Sequence, residues 1–335
     1  MPTILMVGLA STVQHKQVSG TGSLDFSDPS VQAARQAEKR MYDYFGCEYT
    51  EHFVDVDVLG SRMRVVEVGT GPPIVLITGG NGVGLEWAPL LPELPGHTLY
   101  IMDRPGGGLS DGIDHRSMPF QFQAINSTRA LLDYFELDTA HLIGNSIGGH
   151  WILTFAREHP ERVSSIALLG CPAFYPGTSA PFPLRLGSVP IIGGILFERF
   201  IQADDSSGAR ANWEFLGQSD EVIEGFPEEF AEAWYRMQNL PHTKLAWVSL
   251  LQTVVRIRGA RPSVALTPED LQQITVPVLL LWGSNDTFGD IKKGERGTKW
   301  FHDVEFHEVG VGHCPWLDDP TRCGELILEF VKGHE

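Results

Sequence analysis

The stretch Thr-Ala-His-Leu-Ile-Gly-Asn-Ser-Ile-Gly-Gly-His, residues 139–150, leads from an apolar predicted strand straight into a predicted helix. Ser146 lies at the junction between Gly144 and Gly148, which leave room for the strand and the helix to approach each other. The serine is thereby placed on a tight turn, with its hydroxyl near the positive end of the helix. This pattern is typical of a nucleophile, and its alternative is a glycine-rich turn whose serine merely caps the helix.

The composition limits the classes of partner. The chain has 335 residues, 25 of them basic and 42 acidic, and its net charge of −17 argues against nucleic acid and anionic membranes. An apolar stretch in residues 1–13 is too short to span a bilayer and has no basic start. We therefore expect a soluble, cytoplasmic protein. Free thiols are expected at the four cysteines, which show no metal-ligand spacing: Cys47, Cys171, Cys314 and Cys323.

Strand and helix patterns alternate along most of the chain. Wholly apolar runs, typical of strands buried on both faces, occur at 74–77, 98–102, 141–143, 163–169 and 278–282. A last strand is predicted at 304–309 and an opening hairpin at 52–58 and 63–68. Helical patterns occupy 29–45, 120–135, 151–159 and 322–331. This alternation predicts a mostly parallel sheet covered by helices on both faces, with an antiparallel edge.

The alternation stops between about Pro172 and Thr267. This stretch contains helical patterns and no buried strand run, and the patterns lie at 191–203, 227–238 and 242–256. A helical insertion after the sixth strand would cover the strand ends as a cap. The predicted organisation is an N-terminal extension and helix (1–47), a core (48–172 and 267–335) and a helical cap (173–266).

Over roughly residues 50–333 the chain resembles the α/β-hydrolase-fold enzymes that carry a cap. The resemblance implies an α/β protein: a mostly parallel eight-stranded sheet flanked by helices, with an α-helical cap inserted after strand 6. In that family the nucleophile, an acid after a late strand and a histidine after the last strand follow in this order. Ser146, Asp286 and His313 match it. Asp290 is the alternative acid.

The residue types fit acyl transfer. A serine hydroxyl is a weak nucleophile, so an imidazole must remove its proton, and a carboxylate orients that imidazole. The developing oxyanion needs two backbone amides, for which we expect Ile147 and Gly80, with Asn81 as the second choice for the latter. Many relatives carry His-Gly where this chain has Thr78-Gly79. The glycine-rich turn at 103–110 is expected to be structural, because it lacks the ending of a phosphate loop.

A serine at this turn indicates a small-molecule carbonyl substrate and implies no metal or organic cofactor. Apolar residues of the predicted cap, such as Phe182, Leu184 and Trp234, suggest that this substrate is moderately hydrophobic. Related dehalogenases and epoxide hydrolases carry aspartate there instead. We predict an ester or lactone hydrolase that forms an acyl-enzyme. One alternative is a carbon–carbon bond hydrolase, because Asn145 and the Gly148-Gly149 pair resemble the turn of meta-cleavage-product hydrolases. Another is a ligand-binding member of the fold with little turnover.

Residues near the predicted loops are candidates for substrate contact: Asn81, Trp87, Asn145 and Trp316. A hydrolase of the meta-cleavage type would also need a cation for the carboxylate of its substrate. The candidate cations lie in or beside the predicted cap: Arg236, Arg256, Arg258 and Arg261. The sequence is compatible with a homo-oligomer.

Overall fold

The computed structural model describes residues 20–202 and 205–334, so residues 1–19 of the predicted N-terminal extension and helix (1–47) lie outside this range. The described strands are β1 (Tyr49–Val56), β2 (Ser61–Gly69), β3 (Pro73–Ile77), β4 (Thr98–Asp103), β5 (Ala140–Gly144), β6 (Val163–Leu169), β7 (Val255–Arg256), β8 (Gly259–Ala260), β9 (Val278–Trp282) and β10 (Val304–Glu308). Eight of them form one sheet in the order β1-β2-β4-β3-β5-β6-β9-β10. The β1/β2 and β2/β4 pairs are antiparallel and the other neighbours are parallel, which confirms the predicted sheet.

Thirteen α-helices are present in the described residues. They are α1 (Pro29–Tyr44), α2 (Phe120–Tyr134), α3 (Ser146–Glu158), α4 (Phe182–Gly187), α5 (Ile192–Leu196), α6 (Ser206–Phe215), α7 (Asp220–Gly225), α8 (Glu228–Gln238), α9 (Thr243–Val254), α10 (Pro268–Gln272), α11 (Ile291–Gly297), α12 (Pro315–Asp318) and α13 (Pro320–Lys332). Within residues 20–202 and 205–334, none of the helices has the length and apolar character needed to cross a bilayer.

The sheet lies between two layers of helices. Along β9, Leu279 and Leu281 belong to one apolar cluster, whereas Leu280 and Trp282 belong to the cluster on the opposite face. Helices α1, α8 and α13 contribute to the first cluster, and α2, α3 and α9 contribute to the second. Since successive strand residues point to opposite faces, a strand buried on both faces must be apolar throughout. This is why the central strands were readable as unbroken apolar runs.

The helical insertion (residues 173–266) contains α4 to α9 and differs in detail from the sequence expectation. The helix predicted at 191–203 is short here, because α5 ends at Leu196 and a π-helical turn, Phe197–Ile201, follows it. Ile191 before α5 has a φ of +71°, and the adjacent Gly193 and Gly194 have low helix propensity. The helix predicted at 242–256 ends two residues earlier, where the small β7–β8 hairpin begins.

Helix α1 connects the core with the helical insertion. On the insertion side, Arg40 forms an ion pair of 2.6 Å with Glu232 of α8, and the rings of Phe45 and Phe230 meet edge to face. On the core side, the Glu38 carboxylate of α1 receives two hydrogen bonds from the Arg64 guanidinium, of 2.7 and 3.0 Å. Helix α1 therefore holds α8 against the edge of the sheet.

Arg64 on β2 is the centre of a buried ion network. Its guanidinium also donates to Asp103 at 3.0 Å and to Glu51 at 2.6 Å, and the side chain is only 1% exposed. Burial of several charges is tolerated only where each is paired and hydrogen-bonded. The register of the sheet meets this requirement, because it places Arg64 directly opposite Asp103.

We expect Arg64→Leu to destabilise the fold by about 3–5 kcal/mol, because Glu38 and Asp103 would remain buried without their cation. Urea unfolding at neutral pH measures this change. The matched control is Arg35→Leu, since Arg35 is 43% exposed and pairs with Glu51 at 2.6 Å. That change should cost no more than about 1 kcal/mol. Equal losses in the two variants would contradict the role assigned to burial.

Candidate active site

Ser146 occupies the strained turn that the flanking glycines predicted. Strand β5 ends at Gly144 and α3 begins at Ser146 itself, so the predicted helix starts five residues earlier than expected. The φ of Ser146 is +51°, in the left-handed region that costs a non-glycine residue about 1–3 kcal/mol. A Cβ on Gly148 would lie 1.9 Å from the carbonyl oxygen of Ile77. The turn closes only because this position has no side chain.

We expect Gly148→Ala to cost several kcal/mol of stability, because its methyl group would overlap the backbone of β3 rather than a movable side chain. Thermal or urea unfolding measures the loss. Gly225→Ala serves as the control, since nothing lies within 4 Å of a Cβ at that position. The control should change stability by less than about 1 kcal/mol. A Gly148 variant as stable as the control would contradict the close approach.

His313 and Asp286 form a buried pair. The Nδ1 atom of His313 lies 2.8 Å from Oδ2 of Asp286, and both side chains are at most 2% exposed. The Asp286 carboxylate also accepts the backbone N–H groups of Cys171 and Phe288, each at 2.8 Å. A carboxylate with these donors is fixed in place, so Nδ1 of His313 carries the proton that it donates. In the neutral imidazole, Nε2 is then the nitrogen without a proton.

His313 and Ser146 face the same cavity. Ser146 and His313 both line it, and Nε2 of His313 has no hydrogen-bond partner among the described residues. The Phe288 ring lies 4.2 Å from the imidazole, centroid to centroid, and supports it from one side. Asp290, the alternative acid, instead caps α11 through Lys293 N and is 58% exposed. The arrangement favours Asp286 as the acid.

Asn145 holds the histidine loop rather than projecting freely toward a ligand. Its Nδ2 donates to the carbonyl oxygen of His313 at 3.0 Å and to that of Leu169 at 2.6 Å. The backbone N–H of His313 donates in turn to Leu216 of the helical insertion. Asn145 was predicted to contact substrate; it does border the cavity, but its amide nitrogen is engaged in positioning.

The loop predicted to bind the oxyanion (residues 78–82, the oxyanion loop below) follows β3 and borders the cavity at Gly80 and Asn81. The buried Arg104 guanidinium donates to the carbonyl oxygens of residues 78, 79 and 80, at 3.2, 3.2 and 2.5 Å. These hydrogen bonds use the carbonyl oxygens of the loop, and the Gly82 N–H donates to the Gly79 carbonyl oxygen at 2.9 Å. Ile147 lies in the first turn of α3, where backbone amides have no acceptor within the helix. Burial lowers the pKa of Arg104 to about 9.

Arg104 was missed by the sequence analysis, which assigned the turn at 103–110 a structural role without singling out a residue. An arginine that follows a strand in a sequence most often lies on the solvent-exposed surface. Its function depends on the fold, which brings the loop after β4 beneath the loop after β3. No local signal in the sequence could have shown that contact.

The cavity between the core loops and the helical insertion has a volume of about 110 Å³. Its wall from the insertion is largely apolar and includes Leu184, Phe215, Trp234, Trp247 and Leu251. Polar side chains at the lining include Asn81, Glu86, Asn212 and Gln238. No lysine or arginine lines the cavity in the described part of the chain.

Two of the predicted substrate contacts are corrected by the structure. Trp87 and Trp316 do not line the cavity; they are buried against each other, with ring centroids 4.2 Å apart. Trp316 Nε1 donates to the carbonyl oxygen of Glu86 at 2.8 Å. Both indoles therefore pack behind the loop that carries Glu86. The two indoles thus stabilise this loop by packing against it. The sequence alone could not distinguish this packing role from contact with a ligand.

The four candidate cations also lie away from the cavity. Arg236 pairs with Glu232 one helical turn away, and Arg261 donates to the carbonyl oxygen of Gln252. Arg256 and Arg258 are exposed. The structure therefore supplies none of them as a partner for a bound carboxylate.

Comparison with known proteins places this geometry in a family. A family model described as alpha/beta hydrolase fold matches residues 72–320. A 2-hydroxy-6-oxononadienedioate/2-hydroxy-6-oxononatrienedioate hydrolase of Paraburkholderia phymatum is 25% identical over 294 residues, covering 84% of this chain and 96% of the relative.

Two solved structures show the same fold. Carboxylesterase CesB from Bacillus subtilis has a TM-score of 0.70 at 19% identity, and the match covers 91% of this chain and 99% of that one. The 2-hydroxy-6-oxo-6-phenylhexa-2,4-dienoate hydrolase from Rhodococcus sp. strain RHA1 has a TM-score of 0.68 at 19% identity, with 85% and 99% covered.

Proposed function

This chain belongs to the α/β-hydrolase-fold family and is a hydrolase, and we propose that Ser146, His313 and Asp286 are its catalytic triad. The observation that carries the proposal is the buried His313–Asp286 pair, whose free Nε2 borders the cavity shared with Ser146. We further propose that the helical insertion acts as a cap, because its side chains form the apolar wall opposite the triad.

The geometry supports the following sequence of events. Nε2 of His313 accepts the hydroxyl proton of Ser146 as Oγ attacks a carbonyl carbon. The amides of Gly80 and Ile147 stabilise the oxyanion, and Asp286 stabilises the imidazolium. His313 then gives its proton to the leaving group, and the acyl group stays on Ser146. Water, deprotonated by the same histidine, releases the acid and restores the serine.

The relatives favour a different scissile bond from the ester or lactone that the sequence analysis preferred. The Paraburkholderia phymatum relative is named for a substrate with a 6-oxo group, a ketone. Together with the resemblance of Asn145 and Gly148-Gly149 to the turn of meta-cleavage-product hydrolases, this supports cleavage of a carbon–carbon bond beside a ketone. The leaving group is then a carbanion equivalent that takes up a proton, and the acyl half leaves as a carboxylic acid.

An ester or lactone is the second candidate, and one observation favours it. The relatives' substrates are carboxylates by name, whereas no arginine or lysine lines this cavity in the described residues. The triad chemistry is the same for both candidates, because each begins with attack on a carbonyl carbon. A ligand-binding protein without turnover is the remaining alternative, and the buried His313–Asp286 pair at the cavity that Ser146 also lines argues against it.

The test is a side-by-side assay of the purified protein. The substrates are p-nitrophenyl butyrate, a γ-lactone and 2-hydroxy-6-oxo-6-phenylhexa-2,4-dienoate, each measured with wild-type protein and with Ser146→Ala. We expect serine-dependent loss of the dienoate with release of benzoate. Turnover of the ester or lactone alone would replace the carbon–carbon assignment with the second candidate. Absence of serine-dependent turnover on every substrate would contradict the hydrolase mechanism.

A further inference from the structure

Glu86 is an ionisable side chain at the substrate cavity that the triad mechanism does not use. Its Oε2 accepts a hydrogen bond of 2.9 Å from the Thr78 hydroxyl, and its Oε1 accepts one of 2.8 Å from Nε1 of Trp234 on α8. The carboxyl therefore joins the oxyanion loop to the helical insertion. It is enclosed by protein on most sides, and part of its surface is open to the cavity.

Within the described residues, no lysine or arginine forms an ion pair with the Glu86 carboxyl. The nearby charged or titratable groups are Arg104 behind the oxyanion loop, the triad residue His313, and Cys314 beside it. Arg104 directs its hydrogen bonds to three backbone carbonyls of the oxyanion loop and not to the carboxyl. Burial is the main reason why the pKa of Glu86 is raised above its ordinary value.

Two other polar groups stand on the same side of the cavity. Nδ2 of Asn81 donates to the side-chain oxygen of Gln238 on α8, which leaves Oδ1 of Asn81 buried and without a partner in the described residues. Oδ1 is an acceptor, as an ionised Glu86 would be. This end of the cavity therefore presents acceptors where a bound carboxylate would need donors or a cation.

We propose that Glu86 is a specificity-determining residue that disfavours substrates with a carboxylate at this end of the cavity relative to their uncharged analogues. The inference rests on the proposed function and narrows its substrate class. Two carboxylates in one water-poor site cannot both remain ionised. Binding of an anionic substrate next to Glu86 therefore requires uptake of a proton, whereas binding of its uncharged analogue does not. Discrimination should grow as the pH rises.

The experiment compares two pairs of substrates that differ in one charge. The first pair is p-nitrophenyl butyrate and the mono-p-nitrophenyl ester of succinic acid, which have acyl chains of similar length. The second pair is the methyl ester of 2-hydroxy-6-oxo-6-phenylhexa-2,4-dienoate and the free acid, with benzoate release as the signal. For each pair, the ratio of kcat/KM, uncharged over anionic, is measured at intervals between about pH 6 and about pH 8. This range lies above the titration of an unperturbed substrate carboxyl and below the pKa of about 9 of Arg104.

In the wild-type protein we expect at least one pair to show a ratio above about tenfold that rises with pH, by up to about tenfold per unit where one proton must be taken up. In Glu86→Gln the ratio should fall and lose its pH dependence. Glu305→Gln is the matched control, because it removes the same charge from a side chain that is 54% exposed on β10. Its ratio should equal that of the wild type.

The outcomes separate the two proposals. Turnover of none of the four substrates would contradict the proposed function. Turnover with a ratio near one in both pairs, or with ratios that Glu86→Gln leaves unchanged, would overturn the specificity role while the hydrolase assignment stands. The pH profile of the wild-type protein tests the inference without any variant, so a failure of Glu86→Gln to fold would not protect it.

Discussion

Ser146→Ala should lower kcat by about 10⁴-fold or more on any substrate that the wild-type protein hydrolyses. Alanine keeps the Cβ and leaves the cavity intact, so the change removes the nucleophile and little else. If the Gly80 and Ile147 amides bind the carbonyl oxygen as proposed, they would still do so in the variant and allow a small residual rate. Product should be measured in a stopped assay at high enzyme concentration, so that this small residual rate can be detected.

Two further measurements make this result specific. The melting temperature of Ser146→Ala should be close to that of the wild type, because alanine keeps the Cβ whose contacts strain the left-handed turn. Binding of a slowly hydrolysed substrate analogue should be retained. A variant that still turns over substrate within tenfold of the wild-type rate would show that another group attacks the carbonyl carbon, and the triad would have to be abandoned.

Asp286→Asn is expected to lower kcat by about 10⁴-fold, by analogy with measured triads. Asparagine has nearly the same shape, but its amide can present an N–H group to Nδ1 of His313. The imidazole would then carry its proton on Nε2, where the base is required. The Phe288 N–H would keep its acceptor at Oδ1, whereas the Cys171 N–H would lose its acceptor, because it shares Oδ2 with His313. The loss of one buried hydrogen bond should cost about 1–3 kcal/mol of stability, which the fold should tolerate.

The matched control for this variant is Asp290→Asn. Asp290 caps α11 at the surface, so its replacement should leave kcat within about threefold of the wild-type value. Both variants lose one negative charge from the same loop region. A difference between them therefore reports on the position of the carboxylate and not on its long-range electrostatic effect. The reverse result, a strong effect at Asp290 and a weak one at Asp286, would transfer the role of the acid.

Much of the architecture could be predicted because its signals are local. A strand covered on both faces must be apolar at every position, so runs such as Val278–Trp282 are visible without knowledge of their neighbours. The turn at Ser146 was visible for the same reason, since two glycines close to a serine report on contacts within a few residues. The order of Ser146, Asp286 and His313 along the chain then supplied the rest of the candidate triad.

The residues that were missed or misplaced depend on contacts between distant segments. Arg104 and Glu86 owe their positions to the packing of one loop against another, and the residues they touch lie in separate elements. Trp87 and Trp316 illustrate the same limit, because a large aromatic side chain near a predicted loop fits the interior of the protein as well as the wall of a cavity. Hydrophobicity alone does not distinguish these two environments.

The left-handed backbone conformation at position 146 accommodates fewer of the side chains that could serve as nucleophiles. Threonine carries the same hydroxyl, but its second branch at Cβ is disfavoured at a φ of +51°. Cysteine has an unbranched Cβ and meets the backbone requirement. Replacement of serine by cysteine is therefore sterically possible at this position, whereas threonine, with its secondary alcohol, is disfavoured by the backbone conformation.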